Sequence, residues 1–166
     1  MSVDRPTEVA AATERLRAET SVSGLLRTAA RTFVELLEVP ACTISRVIGD
    51  LLVDLIQHRH SGKQDRLRHG YLISDFPLTR AVIEEREPQT IFLDDPKADP
   101  AEAALLRELG FGSLLMAAIE VRDSAWGLVE VYGEQGRQFN DEEVGLVRDL
   151  AAEVGELVAR LEQSTG

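Results

Sequence analysis

Gly110-Phe111-Gly112-Ser113-Leu114-Leu115-Met116-Ala117-Ala118-Ile119, then Ala125-Trp126-Gly127-Leu128-Val129-Glu130-Val131-Tyr132, then Arg137-Gln138-Phe139-Asn140-Asp141-Glu142-Glu143: these three pieces decide the fold. The first two are almost wholly apolar, which marks strands covered on both faces. They predict strands over 113–121 and 126–132 around the turn Arg122-Asp123-Ser124-Ala125. The third piece starts a helix. Asn140 is its cap, Glu143 lies three residues on, and Phe139 can staple to Val144. Val147, Leu150, Val154, Leu157 and Leu161 then follow at alternating three- and four-residue spacing, a heptad-like stripe that Ala151 and Val158 broaden.

Upstream, residues 41–48 and 51–58 read as a hairpin around Gly49-Asp50, and 71–73 as a short extended piece. A short helix over 78–85 follows Pro77, and a strand covers 89–93. Asp99-Pro100-Ala101-Glu102 has cap, first-turn proline and third-position glutamate in order, for a helix that stops at Gly110. Leu26, Ala29, Ala30, Phe33, Leu36 and Leu37 give a core-facing helix that Pro40 ends. Residues 7–19 suit a helix, but Val9, Ala12 and Leu16 are its whole apolar face, so it needs a partner. The order predicts an α+β fold: an antiparallel sheet of five to six strands with helices on it.

Composition excludes several functions. With 18 Lys+Arg against 29 Asp+Glu the net charge is −11, which repels nucleic acid and anionic membranes. The local exception is residues 58–69, with Arg59, Lys63, Arg66 and Arg68 and all three histidines, His58, His60 and His69. No apolar run reaches the ~20 residues of a membrane span, and residues 1–12 lack the pattern of a signal peptide, so a cytoplasmic protein is expected. Cys42 is the only cysteine, which rules out an internal disulfide and a cysteine-built zinc site.

No catalytic constellation is found, and the chain is expected not to be an enzyme. Asp94-Asp95 and Glu84-Glu85 are neighbours whose side chains diverge. No glycine-rich phosphate loop and no nucleophile motif is present. His58 and His60 share a face of an extended strand with Asp54, a set that can ligate a metal or, with His69, present a haem ligand or an anion contact; a polar strand end running into a solvated loop is the preferred reading, and no metal is expected.

In the order and spacing of these pieces the chain resembles a GAF domain, from about Val22 to Leu161. The Gly-aromatic-x-Ser entry, the apolar strand, the polar turn, the Gly-Leu-Val strand and the aromatic-acidic cap carry the resemblance. It implies a PAS-related antiparallel sheet with the terminal helices packed on one face and a ligand pocket on the other. The pocket is closed by the variable segment 61–99. Residues 1–20 are read as a helical extension and, from the thin apolar face of 7–19, a dimer contact that would bury it in a bundle of helices from two chains, with 21–163 as the domain and 164–166 as a tail. The implied function is non-enzymatic signal transduction: small-molecule binding and homodimerisation through the terminal helices, regulating a kinase, cyclase or transcription-factor partner. The alternatives are a ligand-free scaffold and, behind it, a haem-binding or enzymatic member. Tyr71, Phe76, Phe92, Phe111, Ser113, Glu130 and Tyr132 are the expected pocket residues. Ala125-Trp126-Gly127-Leu128 resembles the strand of phytochrome-type members, but Cys42 lies in the first strand and no Cys-His pair exists, so covalent bilin attachment at the usual site is excluded. The ligand is unknown. The chain is either a stand-alone sensor or a piece of a larger one.

Overall fold

A computed structural model describes residues 5–61 and 70–164. Its elements are α1 (Arg5–Arg17), α2 (Val22–Leu37), β1 (Ala41–Ile48), β2 (Leu51–Arg59), β3 (Tyr71–Leu72), a 3-10 turn (Ile73–Asp75), α3 (Pro77–Glu85), β4 (Gln89–Phe92), α4 (Pro100–Leu109), β5 (Ser113–Val121), β6 (Ser124–Gly133) and α5 (Asp141–Ser164). The strands form one sheet in the order β3-β2-β1-β6-β5-β4, with every neighbouring pair antiparallel. The first long strand therefore lies beside the last, and the expected α+β, PAS-like layout is what the chain adopts.

Local chemistry sets the ends of the elements. Ser21 caps α2 by accepting the Gly24 N–H at 3.0 Å, and Glu38, left-handed at φ 53°, ends the helix before Pro40. The β5–β6 turn is tighter than the four residues expected. Only Arg122 and Asp123 lie outside the strands, both at positive φ (51° and 66°), as a primed two-residue hairpin requires. The cap of α5 closes reciprocally: Glu143 N–H donates to Asn140 Oδ1 at 2.8 Å, and Asn140 N–H to Glu143 Oε1 at 3.0 Å. In α4 the box stays half open. Asp99 accepts the Glu102 N–H at 3.1 Å, but the Glu102 carboxylate turns into the fold and accepts from Thr79 N–H (2.8 Å) and Thr79 Oγ1 (2.7 Å). Thr79 is in the first turn of α3, where a carboxylate is favoured. Glu102 thus ties α4 to α3.

Each face of the sheet buries its own core. On one, Ile44, Leu115, Ile119, Val129 and Val131 meet Phe33 of α2 and Val147, Val154 and Val158 of α5. On the other, Leu52, Ile91, Leu114, Met116 and Leu128 lie with Val82 of α3 and Leu106 of α4. Burying one such side chain is worth roughly 1.5–3 kcal/mol, so both layers stabilise the sheet. Gly155 and Gly127 sit where a methyl group would press on a neighbouring strand carbonyl. A Cβ on Gly155 of α5 would lie 2.0 Å from Glu120 O, and one on Gly127 of β6 2.5 Å from Ser45 O. The glycine of the Ala-Trp-Gly-Leu strand is thereby explained by packing of β6 on β1. Trp126 beside it is a core residue of the helix side, with the Arg46 guanidinium 4.6 Å from its ring centre.

One premise drawn from the sequence is corrected. The thin apolar face of α1 does not wait for a second chain: Ala12 and Leu16 are buried in the helix-side core. Arg17 Nε donates to Glu153 of α5 at 2.7 Å, and Arg160 Nη2 to Arg17 O at 3.2 Å. Among the described residues no helix is long and apolar enough to cross a membrane.

Candidate ligand site

Strand register builds a hollow on the face away from α2 and α5. Across β2, β1 and β6 the facing positions run Arg59–Ala41–Tyr132, Gln57–Thr43–Glu130 and Asp54–Ser45–Leu128. Small β1 residues sit between larger ones on both sides, and strands lie ~4.8 Å apart, so the row of Ala41, Thr43 and Ser45 forms a trough. Leu105 and Leu109 of α4 close over it together with Tyr71 and Phe111, leaving a cavity of about 60 Å³. That is well below the roughly 300–1,000 Å³ of a site for a drug-sized molecule.

Glu130 is the chemical centre of the trough. It is 2% exposed, and its two oxygens face different phenols: Tyr71 Oη lies 3.2 Å from Oε1 and Tyr132 Oη 3.0 Å from Oε2. Burial pushes the Glu130 pKa up, and the charges of Asp54 and Glu102 add to it, against the lowering effect of the two tyrosine bonds; the result is about 8. At neutral pH this carboxyl mostly holds its proton. Burial, then the nearby Glu130, pushes both tyrosines above their ordinary range. Asp54 is held by Ser45 Oγ at 2.8 Å. Phe111 stacks on Tyr132 (centroids 4.9 Å, planes 28° apart), and the Arg59 guanidinium lies over Phe111 at 5.3 Å.

Of the pocket residues expected from sequence, Tyr71, Phe111, Glu130 and Tyr132 come together here. Phe76 packs edge-on against Tyr71 (5.0 Å, 76°), one layer out. Ser113 and Phe92 are corrected to the other face. They pair with one another, and Ser113 alternates with Leu114 on β5, whose side chain is on the trough side, and shares its face with Leu115 of the helix-side core. Ser113 Oγ is buried without a hydrogen-bond partner, pressed toward Gly133.

The histidine reading is also corrected. A bulge between Ile44 and Ser45 in the β1–β2 pairing leaves Leu55 without an opposite residue and inverts the side-chain alternation. Asp54 consequently lines the trough while His58 lies on the helix side beside Arg27, Thr28 and Arg31, so the two do not share a face. Burial lowers the His58 pKa, the nearby Arg31 and His60 lower it further, and Glu35 works against them. His60 is exposed next to Pro40. Lys63, Arg66, Arg68 and His69 lie outside the described residues. Among those described, no group of three or more His, Cys, Asp or Glu could hold a metal ion.

Thr43, Gln57, Leu105 and Leu109 complete the lining and were not foreseen, while Asp54 and Arg59, singled out from the sequence as part of a metal-ligating set and of the basic segment, line the trough instead. Their signal was polar residues, at 54, 57 and 59, inside an otherwise apolar strand. Cys42 is fully buried in the helix-side core, and burial, with Glu130 adding, pushes its thiol well above the usual range. Its sulfur is across the sheet from the trough.

The fold is similar to that of several phytochrome structures. One is a bacteriophytochrome of the photosynthetic bacterium R. palustris (TM-score 0.86, 14% identity, 99% of this chain and 40% of that one). Another is its chromophore-binding domain (0.83, 15%, 96% and 62%). A third is the phycocyanobilin-bound GAF domain of a cyanobacterial phytochrome (0.82, 15%, 99% and 98%). The chain thus spans well under half of the first structure and nearly all of the isolated domain. No curated protein is significantly similar to it in sequence. The family model for the GAF domain matches residues 21–158, which take in all six strands and α2 to α4 and reach far into α5, and the chain belongs to the GAF domain family.

Proposed function

We propose that this chain is a regulatory, non-catalytic GAF domain of the cytoplasm that senses a small molecule in the trough around Glu130. The observation that carries the reading is Glu130 itself. A carboxyl buried at the centre of a sheet, clamped by two tyrosines beside a cavity, is costly for stability, and a polar ligand gives it a use. Freshly purified protein examined by mass spectrometry and absorption, then by thermal shift against nucleotides and metabolites, tests it. A copurifying compound, or one that raises Tm, supports sensing.

The cavity's small volume favours the second reading, a ligand-free scaffold, which predicts a clean apo spectrum and no shift. Homodimerisation through the terminal helices is proposed with a changed contact. The apolar stripes of α1 and α5 are spent on the chain's own core, so copies would meet through outward positions such as Ala10, Ala11 and Ala152. A monomer by light scattering at micromolar concentration would remove that part. A signalling partner such as a kinase, cyclase or transcription factor is the proposed output.

A further inference from the structure

The lining of the trough carries both signs of charge in separate places. Arg59 lies over Phe111 at the Ala41 end, while Glu130 and Asp54 occupy the next two rows. All three border the same 60 Å³. We propose that the cavity binds a compact amino-carboxylic zwitterion, its carboxylate toward Arg59 and its ammonium toward Glu130 and Asp54. This names the ligand class for the sensing site proposed above and rests on that reading.

Size, charge and donor count agree. At about 10–15 Å³ for each water-sized group, the cavity accommodates roughly four to six such groups, and glycine has about five non-hydrogen atoms. Anionic ligands meet two carboxyl groups, and simple cations meet a guanidinium; a zwitterion matches both. Guanidinium is the preferred fork for a carboxylate, and the Glu130 and Asp54 carboxyls accept what an ammonium donates. The Phe111–Tyr132 stack gives the wall beside them a polarisable face.

Protonation makes the site responsive. The groups around Glu130 are Asp54 and Arg59 of β2, Glu102 of α4, Tyr71 of β3 and Tyr132 of β6. An ammonium beside Glu130 favours its ionised form, so binding expels a proton at neutral pH. The bonds from Tyr71 Oη and Tyr132 Oη then shorten onto a charged acceptor, and Tyr71 draws in the edge strand β3. The ligand state is thereby written into the position of β3.

The test is calorimetry of the full chain at pH 7 with glycine, acetate and methylammonium at equal ionic strength, in two buffers of different ionisation enthalpy. The expected result is binding of glycine alone, with proton release, and an affinity lower by tenfold or more in both Glu130→Gln and Arg59→Gln. Arg59 is at the end of β2, so its variant keeps the test alive if Glu130→Gln does not fold. Methylammonium binding as tightly as glycine, or acetate doing so, overturns the zwitterion assignment. Absence of glycine binding while another compound of the metabolite panel binds overturns it too and leaves the sensing reading intact. If nothing binds and nothing copurifies, both fall.

Discussion

Tyr71 and Glu130 lie 59 residues apart in sequence and 3.2 Å apart in the fold, from phenol oxygen to carboxyl oxygen. Tyr71 belongs to the two-residue edge strand β3 and Glu130 to the central strand β6, so this contact spans β2 and β1. Tyr71 borders the trough together with Leu105 and Leu109 of α4.

Glu130→Gln tests the cost of that arrangement. The folded pKa is raised to about 8 from the ordinary 4.5, so between these values the folded state binds more protons than the unfolded one. Stability therefore falls as pH rises from about 4.5 to 8, by up to about 1.4 kcal/mol per pH unit for this group, and levels off above. Chemical denaturation from pH 5 to 9 is expected to show that decline in the native protein and a flatter profile in the variant. Parallel profiles would contradict it.

Glu143 has the opposite sign. Burial opposes its ionisation, but hydrogen bonds from Arg137 and from Asn140 N–H, with the Arg137 charge, outweigh it and hold its pKa below the usual value. Its contribution is complete above the ordinary carboxylate range and lost as pH falls through the lowered value. Arg137 also donates to Leu37 O at 3.0 Å, joining the start of α5 to the end of α2. Arg137→Ala is expected to cost about 1–3 kcal/mol at pH 7, because Glu143 is left buried with its charge unpaired. An unchanged urea midpoint would remove this role.

Gly155→Ala should destabilise by about 1–3 kcal/mol or more, since its methyl group would press on the Glu120 carbonyl and lift α5 from β5. Gly145, on the same helix, has only the Arg148 side chain within reach, at 3.7 Å, and its alanine variant is the control, expected to be neutral or stabilising. Equal melting temperatures for the two variants would contradict the packing argument.

Cys42 should resist thiol reagents in the native protein and react at full stoichiometry in denaturant, because its sulfur is buried and its thiolate disfavoured. Rapid native labelling, followed by spectrophotometry, would place the thiol elsewhere.

Sequence carried the sheet well because apolar periodicity and end chemistry agreed. Residues 41–48 and 113–121 are strands as read, and Asn140 and Glu143 cap as read. The site was legible only where a residue was distinctive by type, as with Glu130, Tyr132, Tyr71 and Phe111. Asp54 and His58 were misassigned to one face because alternation assumes an unbroken strand, and one bulged residue reverses it. Ser113 was placed in the pocket on residue type, whereas its strand position points it at the helices. Glu102 looked like a local capping residue, and its tertiary partner Thr79 is 23 positions away. The docking of α1 was hidden for a related reason: two buried side chains suffice when Arg17 and Arg160 add ties to α5.

Everything proposed for the trough around Glu130 depends on its receiving a small molecule. Thermal shift of the native chain and of Tyr132→Phe, which removes one of the two phenol bonds to Glu130 and keeps the ring stack, tests it most directly. The expected result is a compound that raises the native Tm and shifts the variant less. A panel with no active compound, or one that stabilises both proteins equally, would contradict it.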